Sequence, residues 1–229
     1  MNVAIVVAAG SGTRLGGDRP KQFLELGGIP IILHALRQFE RCHDINEIVT
    51  VLPAEETAGF SSQAKEFGLR KLSRVVAGGE TRAQSVQRGL AVIGEAEIVA
   101  VHDGVRPFVT PEEIEGVVQA AKASGAAVLV APVADTIKEV EGNRIVRTVP
   151  RNKLRRALTP QCFRLEILKR AYEALDQLEA AGVEVTDESF LVERLGVEIV
   201  AVEGSARNIK ITKEEDLVLA EALLKNLVL

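Results

Sequence analysis

Six short apolar runs, each closed within two residues by glycine, proline or an acid and separated by helix-length amphipathic stretches, constrain this chain more than any other feature. The runs are 3–8, 48–52, 74–77, 98–101, 126–131 and 199–202. They are rich in valine and isoleucine and lack polar alternation, the pattern of strands buried on both faces. Between them, Ile31 to Cys42 carries Ile32, Ala35, Leu36 and Phe39 at helical spacing, and helices are also expected over 55–67 and 81–92. Thr110-Pro111-Glu112-Glu113 is a helix start, with a capping residue, proline in the first turn and acids beside it. Strands alternating with helices predict an α/β fold, doubly wound around a mainly parallel sheet.

The alternation breaks once. Segments 136–140 and 145–149 read as strands joined by Glu141-Gly142-Asn143-Arg144, a β-hairpin set inside the doubly wound chain. A long helix is expected at 165–181, a shorter one at 186–195, and an extended piece at 208–211. A capping box of Thr212 and Glu215 should then open the last helix. No linker or repeat interrupts the 229 residues, so one domain over 1–229 is expected, with an arm at about 133–153.

The bulk properties exclude several classes. A net charge of -4 argues against a general nucleic-acid binder, although a local cation cluster can still hold a small anion. No apolar run reaches the roughly 18 residues of a membrane span. Two cysteines, Cys42 and Cys162, share no metal-binding spacing and suit a reducing cytoplasm.

Three constellations carry chemistry, all expected at carboxyl ends of strands, where open α/β sheets bind ligands. The first is Ala8-Ala9-Gly10-Ser11-Gly12-Thr13-Arg14, whose small residues let backbone N–H groups approach phosphate oxygens. A dinucleotide fingerprint would need glycine at Leu15, and a P-loop would need Gly-Lys-Ser/Thr after the turn. The loop instead offers Arg14, followed by Lys21 in Pro20-Lys21-Gln22. Two such cations suit charge building on phosphorus oxygens. The second is Gly78-Gly79-Glu80-Thr81-Arg82-Ala83-Gln84-Ser85, a turn into a helix N-terminus. The third is His102-Asp103-Gly104-Val105-Arg106-Pro107. Its acid can orient Mg²⁺ or its waters, or hydrogen-bond a ribose, and its arginine can pair with a phosphate, while His102 reads as structural.

Taken with Asp135-Thr136, Arg151-Asn152, Leu158-Thr159-Pro160-Gln161, Thr186-Asp187-Glu188 and Asn208-Ile209-Lys210-Ile211-Thr212, these pieces resemble the 2-C-methyl-D-erythritol 4-phosphate cytidylyltransferases of the non-mevalonate isoprenoid pathway. The resemblance runs through nearly the whole chain in order. Gly104 and Val105 stand where the family often has two alanines, and Arg207 where relatives often carry an acid.

The resemblance implies a Rossmann-like nucleotidyltransferase fold and a homodimer joined through the hairpin arm. It implies a CTP site at Ala8, Ala9, Gly10, Gly12, Gly79, Ser85 and Gly104, and an acceptor site at Asp103, Arg106, Thr136, Arg151, Thr186 and Lys210. Arg14 and Lys21 would then meet the α-phosphoryl charge, with Arg151 and Lys210 holding the acceptor in line. Mg²⁺ would ride on the CTP phosphates without a direct protein ligand. The close alternative is a cytidylyltransferase for another polyol phosphate, such as ribitol 5-phosphate. A nucleotide-sensing module without turnover would have no use for Arg14 and Lys21 at the α-phosphate.

Overall fold

The computed structural model describes residues 1–10 and 20–227. The chain opens with β1 (Asn2–Val7), then a 3-10 turn at Lys21–Phe23 and a small ribbon of β2 (Glu25–Leu26) and β3 (Ile29–Pro30). It continues through α1 (Ile31–Arg41), β4 (Glu47–Leu52), α2 (Phe60–Glu66), β5 (Leu72–Ala77), α3 (Arg82–Ala91), β6 (Ile98–Asp103), α4 (Pro111–Ser124) and β7 (Ala126–Pro132). The arm follows as β8 (Ile137–Glu141) and β9 (Arg144–Val149). The rest is β10 (Arg155–Arg164), α5 (Leu165–Tyr172), α6 (Leu175–Ala180), α7 (Glu188–Glu193), β11 (Val200–Glu203) and α8 (Glu214–Leu227).

Seven strands form one sheet in the order β11-β7-β10-β6-β1-β4-β5. All neighbours are parallel except β10, which runs antiparallel to both β6 and β7. Strand sequence explains the two-sided core. Along β1, Ala4 and Val6 face one layer with Phe39 and Val117, while Val3 and Ile5 face the other with Val86 and Leu168. The same period of two recurs in β7, where Leu129 and Val128 point to opposite layers. Each fully buried valine, isoleucine or leucine contributes roughly 1.5–3 kcal/mol, so these paired layers fix the register. The chain winds from β1 out to β4 and β5, then returns to β6 on β1's other side. That reversal opens a crevice between the carboxyl ends of β1 and β6, with Val7 the register partner of Asp103.

The structure corrects several expectations. β10 lies where no strand is expected; it carries Pro160, which cannot donate to a ladder, at a register irregularity between Ala157 and Gln161. The helix expected at 165–181 is two helices, α5 and α6. The helix expected at 55–67 begins as a 3-10 turn and becomes α2 only at Phe60. The Thr212–Glu215 capping box does not form: Asp216 receives the N–H groups of Thr212 and Lys213 and the Thr212 hydroxyl, one position later. Among the described residues, the arm strands pair only with each other.

Candidate active site

Three loops leave the sheet side by side and each is tied to its neighbour strand by a backbone bond beyond the ladder. Ala8 N–H donates to Val51 O, Gly78 N–H to Leu52 O and Gly104 N–H to Val7 O, each at 2.8 Å. Two glycines permit this closeness. A Cβ on Gly78 would lie 2.1 Å from the Ala9 Cβ, and one on Gly104 would lie 2.9 Å from the Ala8 Cβ. Gly104 therefore serves packing under the Ala8–Ala9 loop, and it does not line the cleft. Gln22, buried on the 3-10 turn, donates to Ala8 O at 2.6 Å and Gly10 O at 3.0 Å. It thereby seats Lys21 beside the loop. Gly12 and Arg14 fall outside the described residues.

The opposite wall is built from the start of α3. Thr81 caps the helix, accepting the Gln84 N–H at 3.1 Å. Ser85 is buried and its hydroxyl is spoken for twice: it donates to Thr81 O at 2.9 Å and accepts the Gly79 N–H at 3.1 Å. Glu179 of α6 reaches across to accept the Thr81 hydroxyl at 2.8 Å and the Gln84 amide at 2.7 Å.

Between these walls lies an ion cluster centred on Asp103. Arg82 Nε meets Oδ1 at 2.9 Å, while Lys210 Nζ and Arg106 Nε meet Oδ2 at 2.9 and 3.3 Å. Burial alone would raise the Asp103 pKa, but Arg82, Lys210 and Arg106 outweigh it and hold the carboxyl well below its ordinary range. Arg82 also forks onto Glu188, at 2.7 Å to Oε1 and 3.0 Å to Oε2. Glu188 is fully buried and accepts a third bond from the Tyr172 hydroxyl at 3.0 Å. Burial opposes the Arg82 charge, yet Glu188 and Asp103 keep the guanidinium firmly protonated. Burial, reinforced by the Glu188 carboxylate, pushes the Tyr172 phenol up.

His102 completes the support beneath. Its Nε2 faces Arg106 O at 3.1 Å, so that nitrogen carries the proton, and Nδ1 accepts from the Thr159 hydroxyl at 2.9 Å. Thr159 Oγ1 accepts the Asp103 N–H in turn at 3.2 Å. Burial holds His102 neutral, its pKa pushed down to about 4. It is structural, as the sequence suggests.

The walls enclose a cleft of about 980 Å³. Of the expected nucleotide positions, Ala8, Ala9, Gly10, Gly79 and Ser85 line it, as do Lys21, Asp103, Thr186 and Lys210. Arg106 stands behind Asp103, held by Asn208 O at 2.9 Å. Thr136 and Arg151 do not line this cleft; they lie at the base of the arm, where the Arg151 guanidinium donates to Ala134 O. The sequence alone assigns no role to Arg82, Glu188, Gln22 or Glu179. The first three stand within the motifs, but nothing in one dimension says that α3 and α7 bring Arg82 against Glu188.

The 2-C-methyl-D-erythritol 4-phosphate cytidylyltransferase family model matches residues 2–226. A protein of that name from Bacillus velezensis is 42% identical over 224 residues, covering 97% of this chain and 95% of that one. Among solved structures, 4-diphosphocytidyl-2C-methyl-D-erythritol synthase from Anaerococcus prevotii superposes with a TM-score of 0.85 at 29% identity, covering 98% of this chain and 96% of that one. The 2-C-methyl-D-erythritol 4-phosphate cytidylyltransferase from Thermus thermophilus gives 0.78 at 36% identity, with 96% and 98% coverage.

Proposed function

The chain belongs to the 2-C-methyl-D-erythritol 4-phosphate cytidylyltransferase family, and from that premise we propose how its cleft divides the work. The enzyme transfers the cytidylyl group of CTP to 2-C-methyl-D-erythritol 4-phosphate, giving 4-diphosphocytidyl-2-C-methyl-D-erythritol and pyrophosphate. An oxygen of the acceptor phosphate attacks the α-phosphorus, and the bond to the β-phosphate oxygen breaks. A phosphate monoester has a second pKa of about 6 and is largely dianionic at neutral pH, so no general base is needed. The difficulty is bringing two polyanions together, and the residues answer it by positioning and charge.

The observation that carries this reading is the single cleft shared by the Ala8–Gly10 loop, the Gly79–Ser85 turn and the Asp103–Lys210 pair. CTP lies along the loop and turn. Ser85 has given its proton to Thr81 and one lone pair to Gly79, so what remains is an acceptor. It suits the amino donor of cytosine and not the carbonyl that uracil presents there. Lys21 and Arg14 stabilise charge on the α-phosphoryl group. Lys210 is a partly exposed ammonium with donors to spare beyond Asp103, and with Thr186 it receives the acceptor.

Mg²⁺, held by the CTP phosphates, would supply charge neutralisation between the two polyanions. A phosphate-held ion fits the donor set, since both Asp103 oxygens are engaged by cations. Thr136 and Arg151 come to the cleft of a second subunit, carried on the arm of a two-fold dimer built from one domain of residues 1–229. A reducing cytoplasm suits the two free, buried cysteines. Pyrophosphate release, measured for every pairing of CTP, UTP, ATP and GTP with methylerythritol phosphate and ribitol 5-phosphate, tests the whole reading. Equal turnover of UTP, or faster use of ribitol 5-phosphate, refutes it.

A further inference from the structure

Among the described residues, the most deeply buried carboxylate is one the reaction does not touch. Glu188 has no exposed surface and is satisfied three times, twice by Arg82 and once by Tyr172. An ion pair this buried is poorly justified by stability alone, since apolar side chains of similar size often serve a core as well or better. Its geometry suggests a use. With both terminal nitrogens of Arg82 drawn onto Glu188, only Nε is left, and Nε takes Asp103 Oδ1. Oδ2 is thereby left to Arg106 and Lys210. The run Tyr172–Glu188–Arg82–Asp103–Lys210 is thus continuous from the core beneath α5 to the lip of the cleft.

From this run we infer that Glu188 is a positioning residue for acceptor capture, acting on Lys210 through Arg82 and Asp103. Without its charge, Arg82 has Asp103 as its one remaining carboxylate among the partners it touches. The freed guanidinium swings onto both Asp103 oxygens and competes with Lys210 for the second. Lys210 then loses the anchor that aims its remaining N–H donors into the cleft. Arg82 lies within the nucleotide turn, but the backbone of that turn has supports of its own. The Gly79–Ser85 turn is fixed by Thr81, Gln84 and Glu179. The inference rests on Lys210 receiving the acceptor, as proposed above.

The test uses the intact enzyme and Glu188→Gln, which keeps the shape and removes the charge. The expected result is a fall of roughly 10²-fold in kcat/KM for the acceptor, the scale of a small misplacement of a reacting group. CTP binding by calorimetry should be unchanged. Lys210→Ala should show the same acceptor defect, and the double variant should be no worse than Lys210→Ala, because the two residues act in series. Tyr172→Phe removes one neutral donor and gives a smaller defect of the same kind, which keeps the test open if Glu188→Gln does not fold. Multiplicative losses in the double variant, or equal loss of CTP binding, overturn the inference while leaving the site reading intact. Normal acceptor use by Lys210→Ala overturns the site reading itself.

Discussion

Ser85 accepts the backbone N–H of Gly79 at 3.1 Å, so a residue inside α3 holds the turn that precedes its own helix. The bond locks the hydroxyl as an acceptor toward the cleft. In Ser85→Ala the Gly79 N–H loses its partner and, on the proposed reading, the base loses its reader. Leaving a part-buried donor unpaired costs about 1–3 kcal/mol, or roughly five- to 150-fold in kcat/KM for CTP. The preference for CTP over UTP should narrow at the same time, because the lone pair that repels the uracil carbonyl is gone. Steady-state kinetics with both nucleotides decides it, and an unchanged preference would move base recognition elsewhere.

Lys21 follows the glycine loop by way of Gln22, whose amide clasps Ala8 O and Gly10 O. On the proposed reading, an ammonium held there meets charge that grows only as the α-phosphorus is attacked. Lys21→Ala should therefore lower kcat by roughly 10²–10³ while moving the KM for CTP little. A change confined to KM would make Lys21 a ground-state contact.

These two residues also mark what one dimension can and cannot supply. Strand runs and glycine turns are legible because burial on both faces and close loop approach leave strong local signatures. Hence β1, β4 and β6 stand where expected. β10 has no such signature: Pro160 interrupts it, and only its neighbours β6 and β7 make it a strand. Arg82 and Glu188 are 106 positions apart, and an arginine in a first helical turn gives no sign of a buried partner. The family resemblance puts Gly104 against the nucleotide, whereas its structural reason is the Ala8 Cβ beneath it. On the arm, Val140, Ile145 and Val146 are exposed, while Ile137 and Val149 are half-buried.

Stability should fall as pH drops from 6.5 toward 4, and His102 is a main cause. Its folded pKa is depressed from the ordinary 6.5 to about 4 by burial. Below 6.5 the unfolded chain takes up a proton that the folded protein refuses, so stability present above 6.5 is lost on the way down. The full contribution is about 3 kcal/mol, because each pH unit separating the folded and unfolded values is worth about 1.4 kcal/mol. Asp103 acts separately, since its pKa lies well below 3.8 and its share is lost only at lower pH. His34 is also depressed by burial, so its contribution has the same sign. Urea unfolding of the wild type and His102→Gln across this range isolates the effect. The variant should be less stable at pH 7 and should lose much of the slope between 6.5 and 4. An identical slope would show that His102 is not the group responsible.

The arm leaves apolar side chains uncovered among the described residues. Among the described residues β8 and β9 pair only with each other, and a lone two-stranded hairpin is marginal in water. Val140, Ile145 and Val146 are 57%, 60% and 45% exposed, a patch that asks for cover. Thr136 and Arg151 sit at its base, off the cleft of their own chain. A two-fold dimer that swaps arm contacts covers the valines and isoleucine and delivers Arg151 to the partner's acceptor site together. Mixing Lys21→Ala with Arg151→Ala under subunit exchange separates the possibilities. If Arg151 acts across the interface, a mixed dimer combines the intact Lys21 of one chain with the intact Arg151 of the other at one of its two sites. Statistical mixing makes half the dimers mixed, so activity should recover to about a quarter of wild type. If Arg151 acts within its own chain, every site in the mixture keeps one defect and no activity returns. A monomer by analytical ultracentrifugation would remove the arm's role in catalysis.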